Sequence, residues 1–209
     1  VRLKVASSRP EPDVMRLAVA PLGRGGVVAY PTETFYGLAA SAFDLEGCRR
    51  VFEIKGRSLS RALPLILANT SQLADVTVAP SALMQRLAEE FWPGPLTLVV
   101  EALPGVAAAS EDGTVALRIS SLPVARALAS AAGPVTSTSA NVSGSPPAMT
   151  AEEVEAGLGD LIDVVLDGGA TSGGRASTIV DITGSTPKLV REGRIGFGDV
   201  LALVEHDGK

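Results

Sequence analysis

The stretch Ser81-Ala-Leu-Met-Gln-Arg-Leu-Ala-Glu-Glu-Phe-Trp-Pro-Gly-Pro-Leu-Thr-Leu-Val-Val-Glu-Ala102 decides the fold class. Its first part, Ser81 to Trp92, spaces apolar side chains as a helix does. Trp92-Pro93-Gly94-Pro95 cannot continue that helix, because proline lacks a backbone donor and restricts the residue before it. The run that follows, 96–102, is apolar and β-rich. Working outward, the same alternation recurs. Apolar runs at 27–32, 64–68, 115–120, 135–138, 163–167 and 177–183 read as strands, with an edge strand at 188–192. Helical patterns fill Pro12 to Leu22, Asp44 to Lys55, Pro123 to Ala132, Thr150 to Leu158 and Phe197 to Glu205. Thr150-Ala-Glu-Glu153 reads as a capping box, in which the threonine oxygen and the Glu153 carboxylate each meet an orphan N–H. Several strands are too uniformly apolar for a solvated face, so helices cover both sides of the sheet. The expectation is one α/β domain over 1–209, with its core over about 12–205.

Composition narrows the function. The 209 residues are 46% hydrophobic and 20% charged, which excludes a disordered chain, and with only 4% aromatics the core must be aliphatic. A net charge of −5 means that any nucleic-acid contact needs a local basic patch. The chain has one histidine, His206, and one cysteine, Cys48. No His/Cys metal site of usual composition, no Ser-His-Asp triad and no internal disulfide can be assembled from them. The N-terminal segment has no apolar core of a signal peptide and no run reaches membrane-spanning length. The reading is a soluble protein of a reducing cytoplasm, without membrane association.

Polar chemistry collects at strand ends. Pro31-Thr-Glu-Thr-Phe-Tyr-Gly-Leu38 follows an apolar strand and offers two hydroxyls and a carboxylate for a small polar ligand, with Gly37 allowing a close turn. A turn that satisfies its own backbone is the simpler reading of it alone. Lys55-Gly-Arg-Ser-Leu-Ser-Arg61 sets three cations in seven residues of a chain with four lysines, which suits phosphate; a solvated helix end is the plainer alternative. Arg118 falls inside the apolar strand and requires a carboxylate partner from protein or ligand, unless the strand is an edge facing water. Thr136 to Gly144 ends another strand with five hydroxyls and an amide, and Arg191 and Arg194 flank a Glu-Gly pair. Gly169 to Ala176 nearly matches a phosphate loop, but arginine replaces its lysine, alanine its Ser/Thr, and a β-branched run follows instead of a helix; it reads as a flexible glycine loop, a lid or a connector. The composite is an Arg/Ser/Thr cleft without a general base, suited to positioning reactants and stabilising phosphate charge.

Tyr30-Pro-Thr-Glu-Thr-Phe-Tyr-Gly-Leu38, Lys55-Gly-Arg57, Trp92-Pro-Gly-Pro-Leu-Thr97, Val115-Ala-Leu-Arg118, Ser139-Ala-Asn141 with Ser143-Gly144, and Ser177-Thr-Ile-Val-Asp181 stand in the order found in YrdC-like proteins. Over roughly residues 15 to 200 the chain resembles the threonylcarbamoyl-AMP synthases of that family. The resemblance implies a YrdC/RibB-like domain: a twisted, mostly mixed sheet with helices on its faces and a concave basic cavity. It also implies that L-threonine, bicarbonate and ATP give threonylcarbamoyl-AMP, pyrophosphate and water, for tRNA threonylcarbamoyladenosine modification by downstream threonylcarbamoyl-transfer proteins. Thr34, Arg118, Ser139 and Ser177 are then expected to hold threonine, with Arg118 on its carboxylate. Arg57, Arg61, Thr114, Asn141 and Arg191 are expected to hold ATP, and Lys55 and Arg57 to affect the chemical step most. Magnesium would come with ATP, mostly water-ligated, without a protein-only metal site. The chain departs from many relatives at Ala62, where they have proline, and at Arg61, where lysine or asparagine is frequent; it resembles the short form, without the further C-terminal domain. Two other readings compete. One is an RNA- or tRNA-binding module, disfavoured by the net charge and the few aromatics. The other is a carbamoyl-transfer domain of the kind found inside larger carbamoyltransferases.

Overall fold

The computed structural model describes residues 1–56, 62–78 and 80–205. Its strands are β1 (Arg2–Lys4), β2 (Val28–Pro31), β3 (Tyr36–Ala39), β4 (Leu65–Ile66), β5 (Leu96–Glu101), β6 (Thr114–Arg118), β7 (Val135–Thr136), β8 (Thr138–Ser139), β9 (Val164–Asp167), β10 (Thr178–Asp181) and β11 (Lys188–Arg191). The helices are α1 (Pro12–Val19), α2 (Leu45–Lys55), α3 (Leu73–Val76), α4 (Ala82–Phe91), α5 (Pro123–Ala132), α6 (Ala151–Leu158) and α7 (Phe197–Glu205). Every strand and helix expected from the sequence is present, with ends shifted by a few residues. β1, β3, β8 and α3 are additions.

The strands form two mixed sheets, where one was expected. One runs β1-β9-β2-β3-β8 and the other β11-β10-β5-β6-β4-β7. β7 and β8 are consecutive in the chain but belong to different sheets, so the segment Val135–Ser139 is the seam. Thr136, fully buried, stitches it: its hydroxyl donates to the Leu38 carbonyl at 2.8 Å and accepts from Ala40 N–H at 2.9 Å. A polar side chain at such a place is tolerated because both of its hydrogen-bonding directions are used.

Alternation along β2 divides the core. Ala29, with Val27 just before the strand, faces the larger cluster, in which Leu65, Leu98 and Leu117 meet α2, α4 and α6. Val28 and Tyr30 face the smaller cluster under α1 and α5. The cores are nearly all aliphatic, as the composition demands.

Helix ends follow local chemistry. Asp44 caps α2 by accepting from the N–H groups of Glu46 and Gly47, and Ser81 caps α4 through Met84 N–H. α4 stops at Phe91, where Trp92 turns extended before a cis Pro93. At α6, Thr150 Oγ1 accepts from Glu153 N–H at 3.2 Å as expected of a capping box. The returning carboxylate, however, takes the N–H of Met149, one residue before the cap. Gly56 ends α2 with φ near 60°, a left-handed conformation open to glycine.

Candidate active site

The motif 30–38 is a hairpin. β2 and β3 pair antiparallel, with Pro31 opposite Tyr36, around the turn Thr32 to Phe35. Thr32 closes it: its N–H and its hydroxyl both reach the Phe35 carbonyl, at 3.1 and 2.8 Å. The self-satisfied turn therefore holds for Thr32. It does not absorb the next two residues. Thr34 is buried and contacts the Thr32 hydroxyl at 3.1 Å, while the Glu33 side chain leaves the turn for the second sheet.

There it meets Arg118, the last residue of β6. Glu33 Oε1 accepts from Arg118 Nη1, and Glu33 Oε2 accepts from the hydroxyl of fully buried Ser120. The two charged side chains are only 8% and 10% exposed. The arginine in an apolar strand thus has the carboxylate partner its burial requires, and that partner is protein.

Arg118 starts a row across four neighbouring strands. The last registered pair of β5 and β6 is Leu98 with Leu117, so Thr97 and Arg118 share the opposite face beyond it. Thr97 registers with Ile179 of β10, and Ile179 with Arg191 of β11. Ser177, two residues before Ile179, lies on that face as well. Thr97 Oγ1 donates to Ser177 Oγ at 2.9 Å, and Arg191 donates to the Ser177 carbonyl at 2.9 Å and to its hydroxyl at 3.2 Å. Arg191 is held below its ordinary pKa by partial burial of its guanidinium and, second, by the charge of Arg118. Gly193 lets the chain fold back after Arg191: a Cβ there would come within 2.1 Å of the Ala176 carbonyl oxygen.

A third group of side chains adjoins through β8. Ser139 pairs with Gly37 of β3, at the foot of the hairpin. Lys55, the last residue of α2 and 1% exposed, donates to the Ser139 carbonyl at 2.6 Å, to its hydroxyl at 3.2 Å and to Asn141 Oδ1 at 2.8 Å. Ser139 Oγ donates to the same amide oxygen at 2.6 Å, and Asn141 Nδ2 donates to the carbonyls of Val142 and Ser145.

The glycine loop is a connector over the hairpin. Ser172 Oγ donates to the Glu33 carbonyl at 2.6 Å and Gly173 N–H to the Thr34 carbonyl at 2.8 Å. Arg194 Nη2 holds that loop through Ser172 Oγ and the Gly173 carbonyl, both at 2.8 Å. The Tyr36 hydroxyl donates to the Gly169 carbonyl at 2.8 Å, and burial, with Asp167 nearby, pushes its pKa up to about 12.

Thus Thr34 and Arg118 are joined through the Glu33 turn, Ser177 and Arg191 touch, and Lys55, Ser139 and Asn141 form one knot. Thr114 stands apart: it opens β6, five residues long with Arg118 at its other end, and its hydroxyl contacts Ser110 at 2.8 Å and Asp112 at 3.1 Å. Arg57 and Arg61, like His206, lie outside the described residues. Sequence reasoning gave no role to Thr97, Ser120, Ser172 or Arg194, and read the Glu33 carboxylate as a contact for a small polar ligand rather than as the partner of Arg118. The signal available for Thr97 and Ser120 was a hydroxyl beside or ending an apolar strand. Among the described residues no group of three or more His, Cys, Asp or Glu could hold a metal ion, and no helix is long and apolar enough to cross a membrane. Two hollows lie elsewhere. One, of about 440 Å³, is lined by Lys4, Glu11 and Asp167; the other, of about 580 Å³, lies beside Trp92 and Arg126. Neither is lined by the residues expected to form a concave basic cavity.

Residues 21–193 match the Sua5/YciO/YrdC family, whose description reads "Telomere recombination". A Mycobacterium tuberculosis relative, named a threonylcarbamoyl-AMP synthase with a provisional qualifier, is 36% identical over 192 residues, covering 91% of this chain and 88% of its own. The Bacillus subtilis threonylcarbamoyl-AMP synthase is 38% identical over 90% of this chain, which spans 55% of that protein. The crystal structure of Pyrococcus abyssi Sua5 complexed with L-threonine superposes with a TM-score of 0.91 at 33% identity, covering 98% of this chain and 61% of that one. The chain belongs to the Sua5/YciO/YrdC family.

Proposed function

We propose that this chain makes threonylcarbamoyl-AMP from L-threonine, bicarbonate and ATP, acting as a nucleotidyltransferase. The observation that carries the reading is the row Arg118, Thr97, Ser177 and Arg191: two arginines on neighbouring strands of one sheet face, with two hydrogen-bonded hydroxyls between them. Fixed cations with small hydroxyl donors suit a substrate pair carrying a carboxylate and a polyphosphate. The name of the Bacillus subtilis relative and the threonine in the Pyrococcus abyssi complex support the same assignment.

In this reading the carboxylate of threonine lies on Arg118, and Thr34, Ser139 and Ser177 surround the rest of the amino acid. Arg191 and Asn141 hold the nucleotide, joined by Arg57, Arg61 and Thr114. The threonine amine adds to carbon dioxide, releasing a proton to solvent, or to bicarbonate, releasing water, and gives a carbamate. A carbamate oxygen then attacks the α-phosphorus of ATP; the bond from that phosphorus to the bridging oxygen breaks, and pyrophosphate leaves with the electron pair. No side chain need act as a strong base, because the work is alignment of two bound reactants and neutralisation of phosphate charge. Lys55 acts on the chemical step by fixing Ser139 and Asn141, and Arg57 by contact with phosphate. Magnesium would come with ATP, carried on the phosphates with water in its remaining positions, so that the protein need supply no carboxylate cage. It would offset phosphate charge. The product would pass to threonylcarbamoyl-transfer proteins acting on tRNA in the cytoplasm.

The test is pyrophosphate release with labelled bicarbonate. Label enters a nucleotide product, and pyrophosphate appears, only when threonine is present. Release that ignores threonine contradicts the reading. The tRNA-binding alternative has no observation in its favour, and tight salt-dependent tRNA binding without ATP or threonine would revive it.

A further inference from the structure

We propose that Glu33 is a positioning residue for threonine recognition, acting through Arg118. The inference rests on the reading that Arg118 receives the threonine carboxylate. It adds that the guanidinium is held for that purpose by a carboxylate contributed by the other sheet.

The geometry carries it. A guanidinium has five N–H donors in a fixed fork. Among the described residues Arg118 is hydrogen-bonded only to Glu33, and only through Nη1, so its other donors remain for a second carboxylate. An arginine side chain is long and flexible, and one pinned nitrogen removes most of its freedom before the ligand arrives.

Glu33 is itself held firmly enough to serve as the fixed partner. Its second carboxylate oxygen takes the Ser120 hydroxyl, and the Ser120 carbonyl in turn takes Arg126 Nη1 at 2.6 Å. Its backbone sits in the turn closed by Thr32, and its carbonyl accepts from Ser172 Oγ. A carboxylate bound at this many points is a poor candidate for one that must swing aside to admit the substrate. Charge points the same way. Arg191 feels the charge of Arg118, so without Glu33 two guanidinium groups would repel across the site. With Glu33 in place the pair of arginines carries one net positive charge, concentrated where the nucleotide is read to bind.

The experiment is a double-mutant cycle on the full chain, with L-threonine and ATP binding measured separately by calorimetry. R118A loses threonine affinity. E33A loses about tenfold or more for threonine, the scale of one charge-assisted hydrogen bond, and about twofold or less for ATP. In R118A/E33A the second substitution adds nothing beyond about twofold, because a residue acting through Arg118 has nothing left to act on. E33Q, which keeps an acceptor for Arg118, recovers most of the affinity. Where E33A does not fold, E33D carries the cycle. It keeps the charge but draws it back by one methylene, so it cannot reach Arg118 and Ser120 together, and its expected loss is about threefold or more.

Four results overturn the inference: threonine binding unchanged or tighter in E33A or E33D, equal losses for threonine and ATP, a full Glu33 effect persisting in the R118A background, or E33Q as weak as E33A. Threonine binding unchanged in R118A removes the underlying assignment of Arg118 and the inference with it. A loss in R118A beside a silent E33A removes the inference alone.

Discussion

Arg118 and Arg191 stand on one sheet face, yet the fold treats them differently. Arg118 is buried at the end of a central strand, and a carboxylate from the other sheet meets its charge. Arg191 lies on the exposed edge strand β11, its guanidinium only partly sheltered where it holds the carbonyl and hydroxyl of Ser177, and it makes no ion pair with any described residue. A guanidinium deep in the protein must be neutralised to be tolerated, and afterwards it serves as a shaped donor for one small carboxylate. A guanidinium at the rim keeps its full charge and suits a ligand with several negative charges. The difference teaches where each substrate enters the reading: the amino acid by shape at depth, the nucleotide by charge at the edge.

The largest expected effect is at Arg118. Arg118→Ala leaves the Glu33 carboxylate largely buried with Ser120 as its remaining side-chain donor, and breaking a buried pair in this way costs about 3–5 kcal/mol. Urea unfolding measures it. The same variant raises the threonine requirement for pyrophosphate release far more than that for ATP. A stability loss under about 1 kcal/mol would mean that the pair is solvated and the contrast with Arg191 false.

Arg191→Ala should move the other way on both counts. Stability changes by about 0.5 kcal/mol or less, as at most surface positions, because the Ser177 hydroxyl keeps its bond from Thr97. The ATP requirement rises about tenfold, the scale of one lost charge-assisted contact, while the threonine requirement changes little. Salt sharpens the comparison further. Raising ionic strength from about 0.1 M to 1 M shortens the screening length from about 10 to 3 Å, so ATP binding should weaken while threonine binding hardly responds. If both respond alike, Arg118 is as exposed to solvent as Arg191 in the working protein.

Much of this was legible in the sequence, for reasons specific to each element. The stop of α4 follows from Pro93 and Pro95 alone, and the caution that Arg118 must be paired follows from one charged residue in an apolar run. The partner's identity does not. Glu33 lies 85 residues away, and only the packing of two sheets, which no local pattern encodes, brings them together. β3 was missed because the turn Thr32 to Phe35 carries no Asn-Gly or Asp-Gly signal, so Tyr36–Ala39 read as the tail of a binding motif. The second sheet was missed because only one residue, Ser137, separates the two-residue strands β7 and β8 that belong to different sheets. The knot of Lys55 with Ser139 and Asn141 was legible as membership of one site through family resemblance, but the lysine's direction, into β8 rather than towards solvent, needed coordinates. The larger hollow, about 580 Å³ beside Trp92, had no counterpart in any local pattern either.

The smallest expected effect separates the site from the scaffold. Thr150 caps α6, and Glu153 reaches back to accept from the Met149 N–H just before the cap. Thr150→Ala removes one capping acceptor and should cost about 1 kcal/mol of stability. It should leave the threonine and ATP requirements as they are, since α6 packs on β9 and supplies none of the residues assigned to either substrate. Urea unfolding beside pyrophosphate kinetics reads both. A comparable loss of stability without a change in either requirement is the baseline against which Arg118→Ala and Arg191→Ala are judged. Were Thr150→Ala to raise the threonine requirement selectively, the route would be Met149, whose carbonyl accepts from Thr171 N–H at 2.8 Å at the foot of the glycine loop over Glu33. Depth alone would then not explain why Arg118 reads the amino acid, and the loop would have to be counted as part of that end of the site.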